Sequence, residues 1–226
     1  SLYQKVNVDS VIKLAEVAIK FKVKKFIFVS SVKAGGNKLG VNKVFSEINQ
    51  NIPIELYGKS KREAELGLLN LSKSSQMFVS IVRPALVYGP NMKGNLELML
   101  LAIKKGWLPP FPRVKNNRSM IHVDDLVEAI HLISNDIRAK NEIFIVSDGK
   151  KYTSRQIYDA MCFSIRKPIP NWEIPLLLFK IIAFISKKAR INIEKIIGDE
   201  SYSSEKIESL GFKAKRTLKE MNETTF

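Results

Sequence analysis

Hydrophobic positions along the chain switch between two periods. From Tyr3 to Ala18 the apolar residues Val8, Val11, Leu14, Ala15 and Ala18 recur at three- and four-residue spacings among polar ones, which predicts an amphipathic helix over residues 8–22. Phe26-Ile27-Phe28-Val29 is a continuous run of aromatic and β-branched residues ending in Ser30-Ser31, the pattern of a buried parallel strand over 25–31. Met77-Phe78-Val79-Ser80-Ile81-Val82-Arg83 predicts a second such strand, behind a helix over 57–75. A helix over 94–105 is stopped by Gly106, and Pro109-Pro110-Phe111-Pro112 forbids regular structure after it. Asp124 is expected to cap a helix from Asp125 to Ser134. Glu142–Ser147 reads as a short strand, Asp148-Gly149 as the turn after it, and Thr153 as the cap of a helix reaching Ile165. Strands alternating with helices indicate an α/β fold with a parallel, doubly wound sheet. Neither an internal repeat nor a low-complexity stretch interrupts it.

Candidate chemistry sits at two strand ends and on one helix. Tyr57-Gly58-Lys59-Ser60-Lys61 places a phenol and an ammonium four residues apart, hence on one helical face. A lysine cation beside a tyrosine hydroxyl favours the phenolate, so the pair is expected to lower the Tyr57 pKa towards neutrality. A phenol tuned that way can take a proton from an alcohol or give one to a ketone. Ser31 lies at the carboxyl end of its strand, where open α/β sheets bind ligands; its hydroxyl could stabilise charge developing on a reacting oxygen.

Strand with terminal Ser, loop, helix with Tyr57 and Lys61, strand ending Arg83-Pro84, then Val87-Tyr88-Gly89-Pro90: this order of parts resembles the extended short-chain dehydrogenase/reductases. Arg118-Ser119-Met120-Ile121-His122-Val123-Asp124-Asp125-Leu126 extends the likeness to an R-x-x-I-H-V-x-D-L block of nucleotide-sugar epimerases, dehydratases and reductases. The resemblance covers nearly the whole chain. It implies Ser31, Tyr57 and Lys61 as catalytic residues, with Lys61 also on the nicotinamide ribose, and NAD or NADP as cofactor. Asn7, Ser30 and Pro84 are implied beside that cofactor, although an Asn at a helix start is equally an ordinary cap. Tyr88 and Asn95, expected in loops, and Arg118 are implied at the sugar and diphosphate of a nucleotide-diphosphate sugar. Arg118 suits a diphosphate because its planar fork matches phosphate geometry; the competing reading is a surface arginine on a hairpin. Asp125 is expected to cap or pair locally.

The family's glycine-rich dinucleotide turn is not among these residues; the cluster Ala34-Gly35-Gly36 to Gly40 has another spacing and leads to the loop before Tyr57. The expectation is therefore a partial Rossmann-like sheet whose first βαβ units, on the order of 80–100 residues, lie upstream. Residues 1–90 would be the C-terminal half of the dinucleotide domain. Residues 91–226 would be mostly a smaller α+β substrate region, interleaved with returning Rossmann elements. The implied activity is hydride transfer at C4 of a UDP-hexose type substrate, by an epimerase or a 4-keto reductase. A dehydratase fits less well, because Val32-Lys33 follows Ser31 and Glu55-Leu56 precedes Tyr57 where elimination usually brings an acid. The other class is a catalytically inactive binding or scaffold relative, which would have no need of all three catalytic residues.

Composition changes this picture little. Of 226 residues 45% are hydrophobic and 26% charged, which suits a globular protein. The net charge of +15 comes mostly from lysines spread along the chain rather than gathered in an aromatic-interleaved stripe, which argues for a phosphorylated substrate and against nucleic acid. Cys162 stands alone, which excludes a disulfide framework and fits a reducing cytoplasm. His122 and His131 lack a zinc-ligand spacing, and His131 reads as an ordinary helix residue. Pro175 to Ile185 is apolar but too short to span a bilayer and is interrupted by Lys180; it is expected as a buried helix. Lys187, Lys188 and Arg190 follow it directly, which leaves peripheral membrane contact open. The family likeness also leaves room for a homodimer.

Overall fold

The computed structural model describes residues 2–36, 43–185, 193–194 and 196–218. The first helix starts earlier than the pattern predicts and is not uniform. α1 (Leu2–Gln4) passes through a π-helical turn, Lys5–Asp9, into α2 (Ser10–Lys20). Next come β1 (Lys25–Val29), a 3₁₀ turn over Val32–Gly35, the short β2 (Val44–Phe45), α3 (Leu56–Lys73), β3 (Phe78–Pro84) and β4 (Leu86–Tyr88). Then follow α4 (Asn95–Lys105), β5 (Met120–His122), α5 (Val123–Asn135), β6 (Ile143–Val146), α6 (Ser154–Ser164), α7 (Leu176–Ile185), β7 (Ser201–Tyr202) and α8 (Glu205–Glu208).

Every strand pair among the described residues is parallel. β3 lies between β1 and β6, β4 pairs with β5, and β2 pairs with β7. Both faces of the three-stranded sheet are covered, as a doubly wound fold requires. Val79 and Ile81 of β3 pack with Ala15 of α2 and Ala64 and Leu68 of α3. Phe78 and Val82, one residue out of phase, pack with Leu126, Ala129 and Ile133 of α5. A separate core joins α4, α6 and α7 through Leu96, Ile103, Phe111, Met161 and Phe179.

Three local expectations need correcting. β1 is not a fully buried strand: it pairs with β3 alone, and Lys25 and Val29 are exposed. Asp124 does not cap α5. His122 is the N-cap, with Nδ1 accepting from the Asp124 amide at 3.2 Å, so the helix starts two residues early. α7 is not a buried helix throughout: Phe179 is buried, while Leu177, Leu178, Ile181 and Phe184 are exposed. The helix is apolar at every position but Lys180, and a single contact with the core can cover only one stripe of it.

Candidate active site

α3 carries the candidate pair towards the end of β1. Gly58 lets it approach: a Cβ there would lie 2.6 Å from the Lys33 carbonyl oxygen, inside any real contact distance. The N-terminus of α3 therefore sits against the 3₁₀ turn that Ser31 caps, where the Ser31 hydroxyl accepts from the Lys33 amide at 3.2 Å. This close approach sets the Tyr57 phenol beside Ser31, whose hydroxyl favours the phenolate. Two residues 26 positions apart in sequence are thus joined at one strand end.

The Tyr57 phenol does not titrate as expected from its neighbouring lysine. Burial raises its pKa above the ordinary tyrosine value, the Ser31 hydrogen bond lowers it by less, and Tyr3 raises it further. Lys61 is turned to another partner: its Nζ donates to the Val29 carbonyl at 3.0 Å and stands 4.8 Å from the Phe28 ring centroid. Burial lowers the Lys61 pKa, with Glu65 opposing. In this state the lysine anchors α3 to β1, and the phenol stays protonated at neutral pH.

Asn7 is not a helix cap. It lies inside the π-helical turn, and its amide donates to Ser60 Oγ at 3.0 Å; Ser60 in turn donates to the Tyr57 carbonyl at 2.9 Å. Pro84 ends β3 opposite Val146 and is buried. Ser30 Oγ is buried without a hydrogen-bond partner, although its amide is held by the Val82 carbonyl at 2.7 Å. Such an orphan is costly, and at the carboxyl end of β1, beside Ser31 and Lys61, it is a polar atom that a dinucleotide could satisfy. These residues fit the family's cofactor.

The diphosphate candidates form a second cluster. Asn95 opens α4 as its first residue, with Gly94 at the cap position, so it is not the cap itself. Asn95 and Arg118 line a cavity of about 400 Å³ whose other walls include Leu86, Met99 and Phe111. Arg118 is not a surface hairpin residue. Its backbone bridges both Tyr152 and Glu200, and its Nη2 donates to Glu200 Oε2 at 2.8 Å. Lys33 pairs with the other Glu200 oxygen. Ser31, Tyr57 and Lys61 do not line this cavity; the Lys33–Glu200–Arg118 chain connects their strand end to it. Tyr88 is not in a loop. It ends β4 at 1% exposure, its ring edge-on to His122 at 5.1 Å, and serves as core. Asp125 pairs far from home, with Arg216 Nη1 at 3.0 Å and the amides of Lys215 and Arg216.

Two residues in this network escaped the sequence reading, and only Glu200 carries no spacing signal. Glu200 meets Arg118 across 82 positions. Glu65 is fully buried and clamps Arg83 through Nε at 2.9 Å and Nη2 at 2.5 Å. Glu65 did have a signal: with Tyr57 and Lys61 it falls at i, i+4 and i+8 on one stripe of α3.

Residues 1–147 match the model of the NAD dependent epimerase/dehydratase family. The chain belongs to that family. A UDP-glucose 4-epimerase of Vibrio cholerae is 33% identical over 225 residues, covering 97% of this chain and 67% of the relative. An N-acetyl-alpha-D-glucosaminyl-diphospho-ditrans,octacis-undecaprenol 4-epimerase of Escherichia coli O157:H7 is 28% identical, covering 96% and 69%. In fold the chain is similar to the UDP-glucose 4-epimerase of Thermotoga maritima solved with UDP-glucose, with a TM-score of 0.74 at 23% identity, covering 98% of this chain and 68% of that one. It therefore spans about two thirds of the length of these relatives. Its Rossmann-type α/β architecture and its place in an NAD-dependent enzyme family agree with the sequence expectation, and NAD is the cofactor the family takes.

Proposed function

We infer that this chain supplies the proton-transfer site and part of the diphosphate site of an NAD-dependent 4-epimerase acting on a nucleotide-diphosphate hexose. The observation that carries the reading is the meeting of the Tyr57 phenol with Ser31 at the end of β1, with Lys61 one helical turn along. The names of the Vibrio cholerae and Thermotoga maritima proteins support epimerisation of a UDP-linked sugar; a 4-keto reductase would use the same residues. NAD, when bound, supplies a hydride acceptor and donor. Ser30, Lys61, Asn7 and the Pro84 segment would hold it.

As the phenolate, Tyr57 would take the C4 hydroxyl proton, and as the phenol it would give a proton back to the C4 oxygen of the 4-keto sugar; the hydride removed from and returned to C4 would be carried by NAD. Ser31 donates to the reacting oxygen and stabilises its charge. Because burial outweighs the Ser31 bond, the phenol in the present state is protonated, ready for the proton-donating half of the cycle. Asn95 and Arg118 bind the diphosphate; residues 91–226 are mostly the substrate region, interleaved with returning Rossmann elements such as α5 and β6, while 1–90 belongs to the dinucleotide half.

Tyr57→Phe in the native enzyme tests this. Turnover should fall by on the order of 10²–10⁴ with little change in substrate binding, and undiminished turnover would remove Tyr57 from the chemistry. Ser31→Ala adds a pH test with a definite sign. Loss of a bond that favours the phenolate must raise the Tyr57 pKa further, so the oxidation limb of the pH–rate profile should move to higher pH.

A further inference from the structure

We propose that the protein attaches peripherally to an anionic lipid bilayer through the outer stripe of α7 and the two tryptophans beside it. Leu177, Ile181 and Phe184 recur four and three residues apart on the side of α7 opposite the buried Phe179, and each is exposed, Phe184 at 93%. A core helix of a water-facing protein would turn polar residues outwards here. With ten residues, α7 cannot cross a bilayer, and no described helix is long and apolar enough to do so. It is suited to lying in the interface.

The tryptophans decide which occupant suits the face. The chain has only Trp107 and Trp172, 65 positions apart, and both are exposed, at 75% and 61%. Both line one cavity, of about 530 Å³, together with Pro109, Pro110, Pro168 and Lys167. The cavity is joined to the approach to α7 by the Ile174 amide bonded to the Pro110 carbonyl at 3.2 Å. Indole rings with one apolar face and one donor concentrate at the level of lipid headgroups.

Charge is matched to an anionic surface. Lys105 Nζ stands 4.9 Å from the Trp107 ring centroid, and Lys167 Nζ is pinned at the end of α4 by the carbonyls of Ile103 and Lys104, each at 2.8 Å. From Arg166 to Arg190 the sequence carries Arg166, Lys167, Lys180, Lys187, Lys188 and Arg190 against the single acid Glu173; Lys187, Lys188 and Arg190 lie outside the described residues. A basic segment around apolar and indole side chains fits anionic headgroups over acyl chains. An apolar face meant for a second copy of this chain would bring two such cationic rims together.

Flotation of the native protein with phosphatidylcholine vesicles, with and without phosphatidylglycerol, is the test, read also by tryptophan emission. Expected are saturable binding to the anionic vesicles only, a blue shift, and loss of both at high salt. Phe184→Ser and the Trp107→Ala/Trp172→Ala pair should each weaken partitioning by roughly tenfold or more, with turnover on a water-soluble substrate unchanged. Absence of binding by the wild-type protein, or binding indifferent to all three substitutions, overturns the proposal. So does a dimer in light scattering that Phe184→Ser dissolves, since the face would then be occupied by a second copy.

Discussion

Two arginine–glutamate pairs bracket the candidate active site, and they differ in what surrounds them. Arg83 and Glu65 are both fully buried between β3 and α3, with each Glu65 oxygen accepting from Arg83. Arg118 and Glu200 stand at a cavity wall with part of each side chain in reach of solvent, and Glu200 is shared with Lys33. A buried pair recovers its desolvation cost only through close mutual bonding. Both Glu65 oxygens are taken by Arg83, whose Nη2 also donates to Gln50 Oε1 at 3.2 Å while its Nη1 has no hydrogen-bond partner, so Glu65 is the counter-charge that Arg83 depends on. What they fix is the rotation of α3, because Glu65 continues the stripe of Tyr57 and Lys61. The Arg118–Glu200 pair, with 13% of each side chain still in reach of solvent, gives up less than the fully buried pair when a better anion arrives. Charge hidden in the sheet sets geometry, and charge at the cavity remains available to a ligand.

The contrast breaks most visibly at Glu65. Glu65→Gln leaves the Arg83 cation buried with no counter-charge, a change that typically costs about 3–5 kcal/mol. Urea unfolding should show a loss of that size. Replacing both partners by leucine should restore most of the stability, since apolar packing of similar volume often matches a buried ion pair. A loss below about 1 kcal/mol for Glu65→Gln would mean that the pair is solvated and the two arginines are alike.

Arg118 should fail in the other way, through substrate and not through folding. Arg118→Ala should raise KM for the nucleotide sugar about tenfold or more, for a loss of roughly 1.5–3 kcal/mol. Unfolding should move by about 1 kcal/mol or less, and the Kd for NAD should barely change. Arg118→Lys should rescue only in part, because an ammonium lacks the planar fork. Equal KM in all three proteins would make Arg118 a structural pair like Arg83.

What the sequence disclosed follows the same division between local and distant. β3, α3 and the helix capped by Thr153 were legible because their signals lie within a few residues; the Thr153 and Gln156 capping box is complete in the structure. The Ser31–Tyr57 meeting was legible through strand-end position and family likeness. The partners of Arg118 and Asp125 were not, since pairing across 82 and 91 positions leaves no periodicity. The Tyr57 pKa was misjudged because the i,i+4 rule brings Lys61 near but cannot foresee that the Val29 carbonyl holds its ammonium. The exposure of α7 was invisible for a related reason: a run apolar on nearly every side has no phase from which to read its outward stripe.

The smallest expected effect is at Glu200, and its sign separates two roles. If Glu200 only oriented Arg118, Glu200→Gln would loosen the guanidinium and raise KM. The geometry favours the opposite sign. One carboxylate serves both Arg118 and Lys33, so it competes with an incoming diphosphate for the same donors. A neutral amide keeps an acceptor for Arg118 and removes that competing charge. Gln at this position should therefore lower KM for the nucleotide sugar, by about threefold to fivefold for an exchange of roughly 1 kcal/mol, and should steepen its dependence on ionic strength. Stability should change by less than about 1 kcal/mol, against several for Glu65→Gln. A tenfold rise in KM instead would show that Glu200 positions Arg118 as rigidly as Glu65 positions Arg83, and the division between committed and available charge would fail.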